Sequence, residues 1–433
     1  MKVRIIIGKF CLFLLIAGIG MVCQSCSNNE ETITEDSTKP LSSPDSMVID
    51  MLPQTRAIEL TQDQRALVQK NNDFSFNLYR AIHAANGKSS NITSPLSLTY
   101  VMCMLNDGAA GNTSKEISQV LGFETNSKLA INEYCKSLIE QAPIADPSVI
   151  LQIANIVAAD KKVTLGENYQ KDMQDFYSAE VASLDFSKRS SVDYLNSWCK
   201  EKSQGMIPEI IERLSPEDLM VLMNAVYFKA TWTDKFDKND THNESFTMGN
   251  NTSAELPMMH RKAQVRYCSN DIYTGIWLPF GSGDKWSMKV LLPEDGKTVD
   301  DIIASLTNDS WGHQNWMYAI VDIKIPRFST KSDIMLKDMI AQLGAPSVFD
   351  PMKADFTLMT KNADQVYVGM MKQKAAIEVT EEGTKTTAVT VATMQSENMI
   401  DGRGEFHANR PFVYIIQEAS SGAVFFIGTF QGD

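Results

Sequence analysis

The chain has 433 residues, of which 43% are hydrophobic and 21% are charged, a composition typical of a globular protein with a large core. Its 40 basic and 53 acidic side chains give a formal net charge of −13 at pH 7. Because an acidic surface repels the phosphate backbone, we expect no nucleic-acid partner.

The chain begins with a segment typical of an export signal. A basic start precedes an almost wholly apolar run at residues 10–22, which is too short to span a bilayer comfortably and suits the hydrophobic part of a secretory signal. Ser25 and Cys26 follow, and then a polar, acidic stretch. This order resembles a bacterial lipoprotein signal. It implies a leader at residues 1–25 and a lipid on Cys26, at the outer membrane or surface of a Gram-negative bacterium; an ordinary cleaved signal peptide is the alternative.

Residues 26–59 predict a flexible tether, because they are rich in Ser, Thr, Asp and Glu and lack apolar periodicity. No second linker follows, so we predict one domain over residues 60–433. Its first helix is indicated by apolar residues at helical spacing, namely Leu67, Phe74, Leu78 and Ile82. Ser94 and Pro95 suit the N-cap and first position of a second helix.

The later part of the chain predicts strands. Residues 219–228 form a continuously apolar run, as expected of a strand buried on both faces, and residues 287–292 form another. Apolar residues alternate at 319–325. Runs at 412–416 and 423–430 flank a Ser-Ser-Gly turn, which predicts a hairpin. Helices followed by many strands without regular alternation indicate the α+β class.

Motifs for catalysis are missing from the sequence. It contains neither the G-x-S-x-G nucleophile elbow nor a phosphate-binding P-loop, so we predict that the protein is not an enzyme, although a triad assembled from distant positions stays open. The 5 histidines show no metal-ligand spacing, and we predict no metal site. Four cysteines of the folded part are predicted to be buried thiols without a disulfide framework: Cys103, Cys135, Cys199 and Cys268.

The segment at residues 384–394, TKTTAVTVATM, has the composition of a strand, because seven of its eleven residues are β-branched. It runs on into residues 395–405, whose polar, turn-like composition predicts an exposed loop. Alternate positions are small and uncharged: Thr384, Thr386, Ala388, Thr390 and Ala392. The one charge, Lys385, has the opposite parity, as a strand entering a crowded sheet requires. An ordinary edge strand or linker is the alternative interpretation.

Over nearly the whole of residues 60–433 the sequence resembles the serpin family. The resemblance is carried by segments that occur in the family's order: Asn91 with Ser94-Pro95-Leu96-Ser97, GAAGNT at 108–113, VLMNAVYFKATW at 221–232, Ile325-Pro326-Arg327-Phe328, Ala354-Asp355-Phe356, EVTEEGT at 378–384, and Asn409-Arg410-Pro411-Phe412.

The resemblance implies the serpin fold, an α+β fold with a helical N-terminal part, large β-sheets and an exposed reactive-centre loop at about residues 381–405. It also implies suicide-type inhibition of serine proteases, with cysteine proteases as a second class. The protease cuts the loop and forms an acyl-enzyme, and the upstream half of the loop then inserts into the main sheet as a strand. A target protease is the implied partner, the protein is implied to be a monomer, and no cofactor is expected.

Counting the family's spacing forward from Gly383, and back from Phe406 and Pro411, places the cleaved bond at Glu397–Asn398. Met394, Met399 and Arg403 are the alternative bait residues. A glutamate at the bait position implies a protease whose primary pocket is basic.

Other roles follow from the resemblance alone. The hinge comprises Glu381, Glu382, Gly383, Thr384, Lys385 and Thr386, and the inserting strand includes Ala388, Thr390 and Ala392. A polar shutter cluster comprises Ser94, Ser97, Asn224 and Gln373, and Trp232 marks the loop's entry point, the breach. The chain departs from the family's pattern in having Lys385 in place of an acid, Thr386 and Thr387 in place of Ala, and Gln373 in place of a common His. These departures leave open a non-inhibitory serpin that acts as a binding or chaperone-like module.

Overall fold

The computed structural model describes residues 54–433 except 88, 216–217, 284, 363–365 and 384–398, and at 399–403 it describes the backbone alone. Residues Pro53–Asp433 form one compact unit. Its helices are α1 Gln62–Asn86, α2 Pro95–Gly108, α3 Gly111–Leu121, α4 Lys128–Gln141, α5 Glu167–Tyr177, α6 Arg189–Lys202, α7 Val299–Ser305, α8 Asn308–Gly312 and α9 Lys337–Leu343. Short 3-10 turns lie at Ala142–Ile144, Lys238–Asp240 and Pro346–Phe349.

The strands are β1 Asn91–Thr93, β2 Val149–Asp160, β3 Glu180–Leu184, β4 Met220–Ala230, β5 His242–Thr247, β6 Ser253–Ser269, β7 Tyr273–Phe280, β8 Trp286–Pro293, β9 Met317–Pro326, β10 Phe328–Met335, β11 Lys372–Val379, β12 Met399–His407, β13 Phe412–Glu418 and β14 Val424–Phe430. The order of helices and strands confirms the predicted α+β class.

The first two helices form where local signals predicted them. In α1 the Thr61 side chain and Gln64 make a reciprocal capping box, which satisfies backbone groups that the first turn leaves unpaired. The apolar residues that predicted this helix are all buried: Leu67, Phe74, Leu78 and Ile82. Ser94 caps α2 and Pro95 occupies its first position, so the local sequence fixes where this helix begins.

A nine-stranded sheet holds most of the strands, in the order β1-β14-β13-β8-β7-β6-β9-β12 with β5 paired to β6. The predicted C-terminal hairpin is confirmed, since β13 and β14 pair antiparallel from Phe412 opposite Phe430. Strands β8, β13 and β14 are buried at every position. Among the described residues no helix is long and apolar enough to cross a bilayer.

A second sheet lies in two parts, and we call it the split sheet. One part has the order β3-β2-β4, in which β2 and β4 pair antiparallel from Val149 opposite Ala230 to Ala159 opposite Met220. The other part is the antiparallel pair β10-β11. Within the described chain no ladder joins β4 to β11, so a gap separates these two neighbouring strands of the split sheet.

The structure corrects two predictions about the fold. The folded part begins before residue 60, because Ile58 is only 1% exposed and the Arg56 amide donates to Ala145 O at 2.8 Å. The sequence did not predict this earlier start, because Ile58 is a single apolar residue in a polar stretch and forms no periodic pattern. The apolar run at 219–228 is also not buried on both faces: β4 is half-buried at most positions, because one of its edges borders a cleft.

Candidate functional site: a cleft in the split sheet

A cleft with a volume of about 430 Å³ separates β4 from β11. Every residue at 219–228 and at 366–377 lines it. Because consecutive residues of both segments line one cavity, the cleft lies between the edge of β4 and the edge of β11 and follows the length of the two strands. The strands run in the same direction, since their C-terminal ends meet at Thr231 and Gly383, whereas near their N-terminal ends a Cβ on Gly369 would contact Asp218.

Both faces of the cleft are covered. On the inner side α2 contributes Ser94, Ser97, Leu98, Val101 and Leu105, and on the outer side lie Cys199 of α6 and several residues of the segment that follows it. On β11 the inward-facing residues Gln373, Ala375, Ile377 and Val379 are buried. On β4 the outward-facing Met223 and Ala225 pack in a separate cluster with α6. A strand placed in the cleft would therefore be buried on both faces.

Three of the four predicted shutter residues lie together on the β11 side of the cleft. The Gln373 Nε2 donates to Ser94 O at 2.8 Å, and its Oε1 accepts from the Ser94 amide at 3.1 Å. The Ser94 hydroxyl accepts from the Ser97 amide at 3.4 Å and caps α2. An amide side chain thus replaces the histidine expected here and fastens β11 to the start of α2.

The fourth shutter residue, Asn224, lies on β4 across the cleft. Its Nδ2 donates to Asn155 Oδ1 at 2.8 Å and to Ala154 O at 3.3 Å, both on β2. Its Oδ1 is buried and has no hydrogen-bond partner in the described chain. A buried acceptor without a donor destabilises the fold and calls for an explanation.

The upper end of the cleft is closed by the predicted breach residue. The Trp232 amide donates to Glu382 O at 3.0 Å, and its Nε1 donates to Thr380 O at 2.9 Å. Its ring is buried and stacks on Phe280 with the centroids 4.4 Å apart. Trp232 therefore ties the end of β4 to the first residues of the predicted hinge.

Gly383 occupies a position that only glycine can take. Its φ is +106°, in the left-handed region. A Cβ there would lie 2.5 Å from Trp232 N and 2.6 Å from Ala230 O. Gly383 makes antiparallel bridges both to Thr231, beyond β4, and to Thr380, beyond β11, so the chain enters the top of the cleft between the two strands.

The two hinge glutamates are held by ion pairs. Glu381 is only 2% exposed; its carboxylate pairs with Arg327 and accepts from the Thr241 hydroxyl at 2.9 Å. Burial alone would raise the pKa of Glu381, but the bonds from Arg327 and Thr241 outweigh it and leave the pKa below its usual value. Glu382 pairs with Lys235 at 2.7 Å and Lys238 at 3.2 Å, which lower its pKa.

Sequence reasoning did not assign Thr241, Lys235 and Lys238 to the hinge. They lie more than a hundred positions before the glutamates they bind. The only sequence feature that could have indicated them is the occurrence of two lysines in an otherwise acidic stretch. Partners that distant in sequence are brought together by the fold alone.

The ends of the predicted exposed loop at 381–405 are wrong. Residues 381–383 are bonded into the fold, and β12 pairs in parallel with β9, with Arg403 opposite Ile320 and His407 opposite Lys324. Met399 and Arg403 thus lie in a strand that pairs with β9, and not in a free loop. Several predicted residues lie outside the described chain: Thr384, Lys385, Thr386, Ala388, Thr390, Ala392, Met394, Glu397 and Asn398.

No group of three His, Cys, Asp or Glu side chains within the described ranges could hold a metal ion.

The chain matches known proteins over most of its length. A family model described as Serpin (serine protease inhibitor) matches residues 69–431. The sequence is 30% identical to Serpin B6 of Macaca fascicularis, covering 84% of this chain and 99% of that protein. It is 29% identical to Antithrombin-III of Mus musculus, covering 84% and 80%. The solved structure of the thermophilic serpin Tengpin in the native state superposes with a TM-score of 0.77 at 24% identity, covering 89% of this chain and 99% of that one.

Proposed function

Because the chain belongs to the serpin family, we propose that it is a suicide-type inhibitor of serine proteases, with cysteine proteases as a second class. The protease cuts at Glu397–Asn398, and the upstream segment then inserts into the cleft of the split sheet. The observation that carries the proposal is the cleft itself, a gap between two neighbouring strands of the described chain that is covered on both faces. The family whose fold it has is described as protease inhibitors, which favours inhibition over catalysis.

The bridges at Gly383 support one register for the proposed inserted strand. Gly383 is antiparallel to Thr231 on one side and to Thr380 on the other. Antiparallel ladders advance one residue on each strand. Seven residues along, Thr390 therefore pairs with Asn224 of β4 and with Gln373 of β11.

This register places the right side chains on each buried face. Residues directly opposite in an antiparallel ladder point to the same side of a sheet. The small set Thr384, Thr386, Ala388, Thr390 and Ala392 joins the inward-facing residues of β11, which belong to the main core. Val389 and Val391 point outward, beside Ala225 and Met223 in the cluster under α6.

The same register explains two features of the chain. Thr390 brings a hydroxyl to the buried Asn224 Oδ1, so insertion supplies the donor that this atom lacks among the residues the structure describes. Lys385 points outward between Glu378 and Lys229, where it faces one charge of each sign. A lysine is therefore compatible with insertion at a hinge position where the family has an acid.

Insertion also supplies the mechanical step of inhibition. A strand rises about 3.4 Å per residue, so residues 384–397 carry the cut end about 45 Å down the sheet with the protease attached. Gly369 and Asp218 lie close enough that a Cβ on Gly369 would be 3.9 Å from the Asp218 carboxylate, so the two segments must separate to admit the last of these residues. A fold that keeps this strand position empty is held by a kinetic barrier and not by being the lowest state.

The residue at the bait position, Glu397, indicates the class of protease that we propose as the target. Glu397 requires a protease with a basic primary pocket. The variant Glu397→Arg should move inhibition to trypsin-like enzymes, and an unchanged target range would show that another bond is cut.

The cellular setting is proposed from the sequence alone. The leader at residues 1–25 directs export, Cys26 carries a lipid, and the tether that follows holds the inhibitor at the outer membrane or surface of a Gram-negative bacterium. Cys26→Ala should move the protein from the membrane fraction to the soluble fraction, and a membrane-bound variant would rule out this anchor.

The test of inhibition mixes the protein without its leader with a panel of serine and cysteine proteases, including a glutamate-preferring enzyme. We expect an SDS-stable complex and a released C-terminal peptide that begins at Asn398. A complex with a different peptide would keep the mechanism and move the bond. Cleavage without a complex on every enzyme would contradict inhibition and favour a non-inhibitory binding module.

A further inference from the structure

Two histidines share one carboxylate on the solvent-facing side of the nine-stranded sheet. The His260 Nε2 lies 2.7 Å from Asp322 Oδ1, and the His407 Nε2 lies 3.1 Å from Asp322 Oδ2. His260 belongs to β6, Asp322 to β9 and His407 to β12, so these three side chains, which we call the histidine clamp, join three neighbouring strands. Each is about one-third exposed, so solvent protons can reach it.

The clamp holds the end of an edge strand. β12 is the last strand in the order of the nine-stranded sheet, and within the described residues its ladder is with β9. That ladder is irregular between Met399 and Arg403 and regular from Arg403 to His407. β12 begins directly after residues 384–398, which include the proposed cut bond. The clamp therefore fixes the downstream end of the predicted bait loop to the sheet.

An opposition of like charges next to the clamp makes its protonation favourable. Glu405 lies directly opposite Asp322 in the ladder between β12 and β9. Two like charges at opposed positions weaken the pairing of strands. A positive charge on His407 or His260 offsets this repulsion, because both rings contact the Asp322 carboxylate.

Other ionisable groups on the same face belong to all four strands that pack around the clamp. Lys324 lies opposite both His260 and His407, but its charge is paired with Glu244 of β5 at 2.8 Å. The rest of this set comprises Lys262, opposite Asp322, His242, opposite Met258, and Arg403, opposite Ile320.

We propose that the histidine clamp is a pH-sensitive fastening, which holds β12 to β9 and β6 more tightly as the pH falls from about 8 to about 5. Histidine is the side chain whose charge changes in this interval. A neutral ring still donates from Nε2, and protonation turns each hydrogen bond into an ion pair with the same partner. The change is therefore one of strength and not of contacts. The proposal does not rest on inhibition, since it concerns the uncut protein.

The carboxylate sets the lower limit of this pH range. The hydrogen bond from His260, opposed by partial burial and reinforced by the bond from His407, holds the pKa of Asp322 below its ordinary value. A carboxyl group whose pKa is lowered by folding stabilises the fold above its ordinary pKa of about 3.9, and this contribution is lost as the pH falls through the lowered value. Asp322 therefore stays ionised while the rings gain protons, and the clamp is strongest in mild acid.

The test compares amide hydrogen exchange at residues 404–407 in the uncut protein and in its His407→Gln variant, at about pH 5.5 and about pH 8.5. A glutamine amide can keep a hydrogen bond to Asp322 but cannot become charged. We expect the parent to be about three- to fivefold more protected than the variant at the lower pH, and equally protected at the higher pH. Comparison at one pH cancels the effect of other titrating groups, such as Lys289. The same ratio at both pH values would overturn the proposal.

His313→Gln is the matched control, because His313 also contacts an aspartate but does so within one helical turn. Its Nδ1 lies 3.1 Å from Asp309 Oδ1. Exchange at residues 404–407 should be unchanged by this substitution at both pH values. A loss of protection equal to that in His407→Gln would mean that any lost histidine has this effect, which contradicts the clamp.

Salt dependence tests the clamp in the unchanged protein. Ion pairs at the surface are screened by salt. Raising the salt concentration from about 0.05 M to about 0.5 M should therefore lower the protection of residues 404–407 more at about pH 5.5 than at about pH 8.5. An equal effect of salt at both pH values would contradict the proposal, and this measurement requires no variant to fold.

Discussion

The nine-stranded sheet and the split sheet differ in whether all their neighbouring strands are paired. In the nine-stranded sheet β8, β13 and β14 are buried throughout, and the Phe412 and Phe430 rings pack against each other with centroids 5.5 Å apart. In the split sheet β4 and β11 border an open cleft, and a buried oxygen of Asn224 has no hydrogen-bond partner among the described residues. One sheet has every neighbouring strand in place, while the other has a gap between β4 and β11 in the described chain, which we propose the cut loop fills.

The largest expected effect comes from blocking that position. In the proposed register Thr386 points into the core between Phe228 and Ile377, whereas Thr387 points outward beside Tyr227. Thr386→Arg would bury an unpaired guanidinium, which costs several kcal/mol. We expect it to abolish the SDS-stable complex while the loop is still cut, and Thr387→Arg to retain the complex. Equal complex yields for the two variants, measured on gels, would contradict the register.

The nine-stranded sheet contains a buried lysine, Lys289, which destabilises the fold. Replacing it should have the next largest effect. The Lys289 amine donates to Gln417 and lies 4.1 Å from the Trp277 ring centroid and 4.5 Å from that of Trp311. Burial, with a smaller contribution from the Arg266 charge, lowers the pKa of Lys289 to about 7. Gln417 also accepts from Trp311 at 3.2 Å, so its oxygen keeps a donor when the amine is removed.

The pH dependence follows from that pKa. An unfolded lysine keeps its ordinary value near 10.4, so between about pH 7 and 10 the unfolded chain binds more protons and stability falls as the pH is lowered. Lys289→Met should remove this slope and raise the free energy of unfolding at pH 7 by about 1–4 kcal/mol. Urea unfolding at several pH values would measure both effects. Identical slopes in variant and parent would show that the amine is not the cause.

A smaller effect is expected at the junction between the two parts of the split sheet. Gly383→Ala places a methyl group against Trp232 N and Ala230 O in a strained conformation, and we expect a loss of about 2–3 kcal/mol in urea unfolding. Gly205 is a matched control, because its φ is +82° and a Cβ there would meet nothing within 4 Å. Gly205→Ala should lose about 1 kcal/mol. Equal losses would mean that the close approach at Gly383 is unimportant.

The smallest effect concerns the proposed bond from Thr390 to Asn224. Thr390→Val keeps the shape and removes the hydroxyl, so the cut protein should lose about 1 kcal/mol while the uncut protein is unchanged. Thr387→Val, on the outward side, is the control and should change neither form. Guanidinium unfolding of cut and uncut protein measures the difference, and a loss in the uncut protein would place Thr390 in a different environment.

Local signals in the sequence were sufficient for much of the fold. The capping residues of α2, the period of α1 and the turn of the C-terminal hairpin are short-range features, and the structure reproduces all three. The matches to known serpins and the structure also confirm the α+β serpin fold that the motifs implied. The small, alternating side chains at 384–392 predicted a strand-forming segment.

Long-range pairing could not be predicted. The polar residues 399–405, with Gly402 and Gly404, have the composition of a turn, yet they pair with β9 eighty positions earlier. The ion pair of Glu381 with Arg327 and the vacancy between β4 and β11 likewise depend on which distant strands are neighbours. The register that we propose for insertion rests on the bridges that Gly383 makes in the fold, which no local pattern in the sequence predicts.

The most direct test of the central claim is thermal unfolding of the protein before and after its loop is cut within residues 394–398, with the cut confirmed by mass spectrometry. If the cut segment fills the cleft, it adds two hydrogen-bonded ladders, buries two faces and supplies a donor to Asn224, so Tm should rise sharply. The Thr386→Arg variant, cut in the same way, should not show the rise. An unchanged or lower Tm in the cut parent protein would contradict insertion into the split sheet.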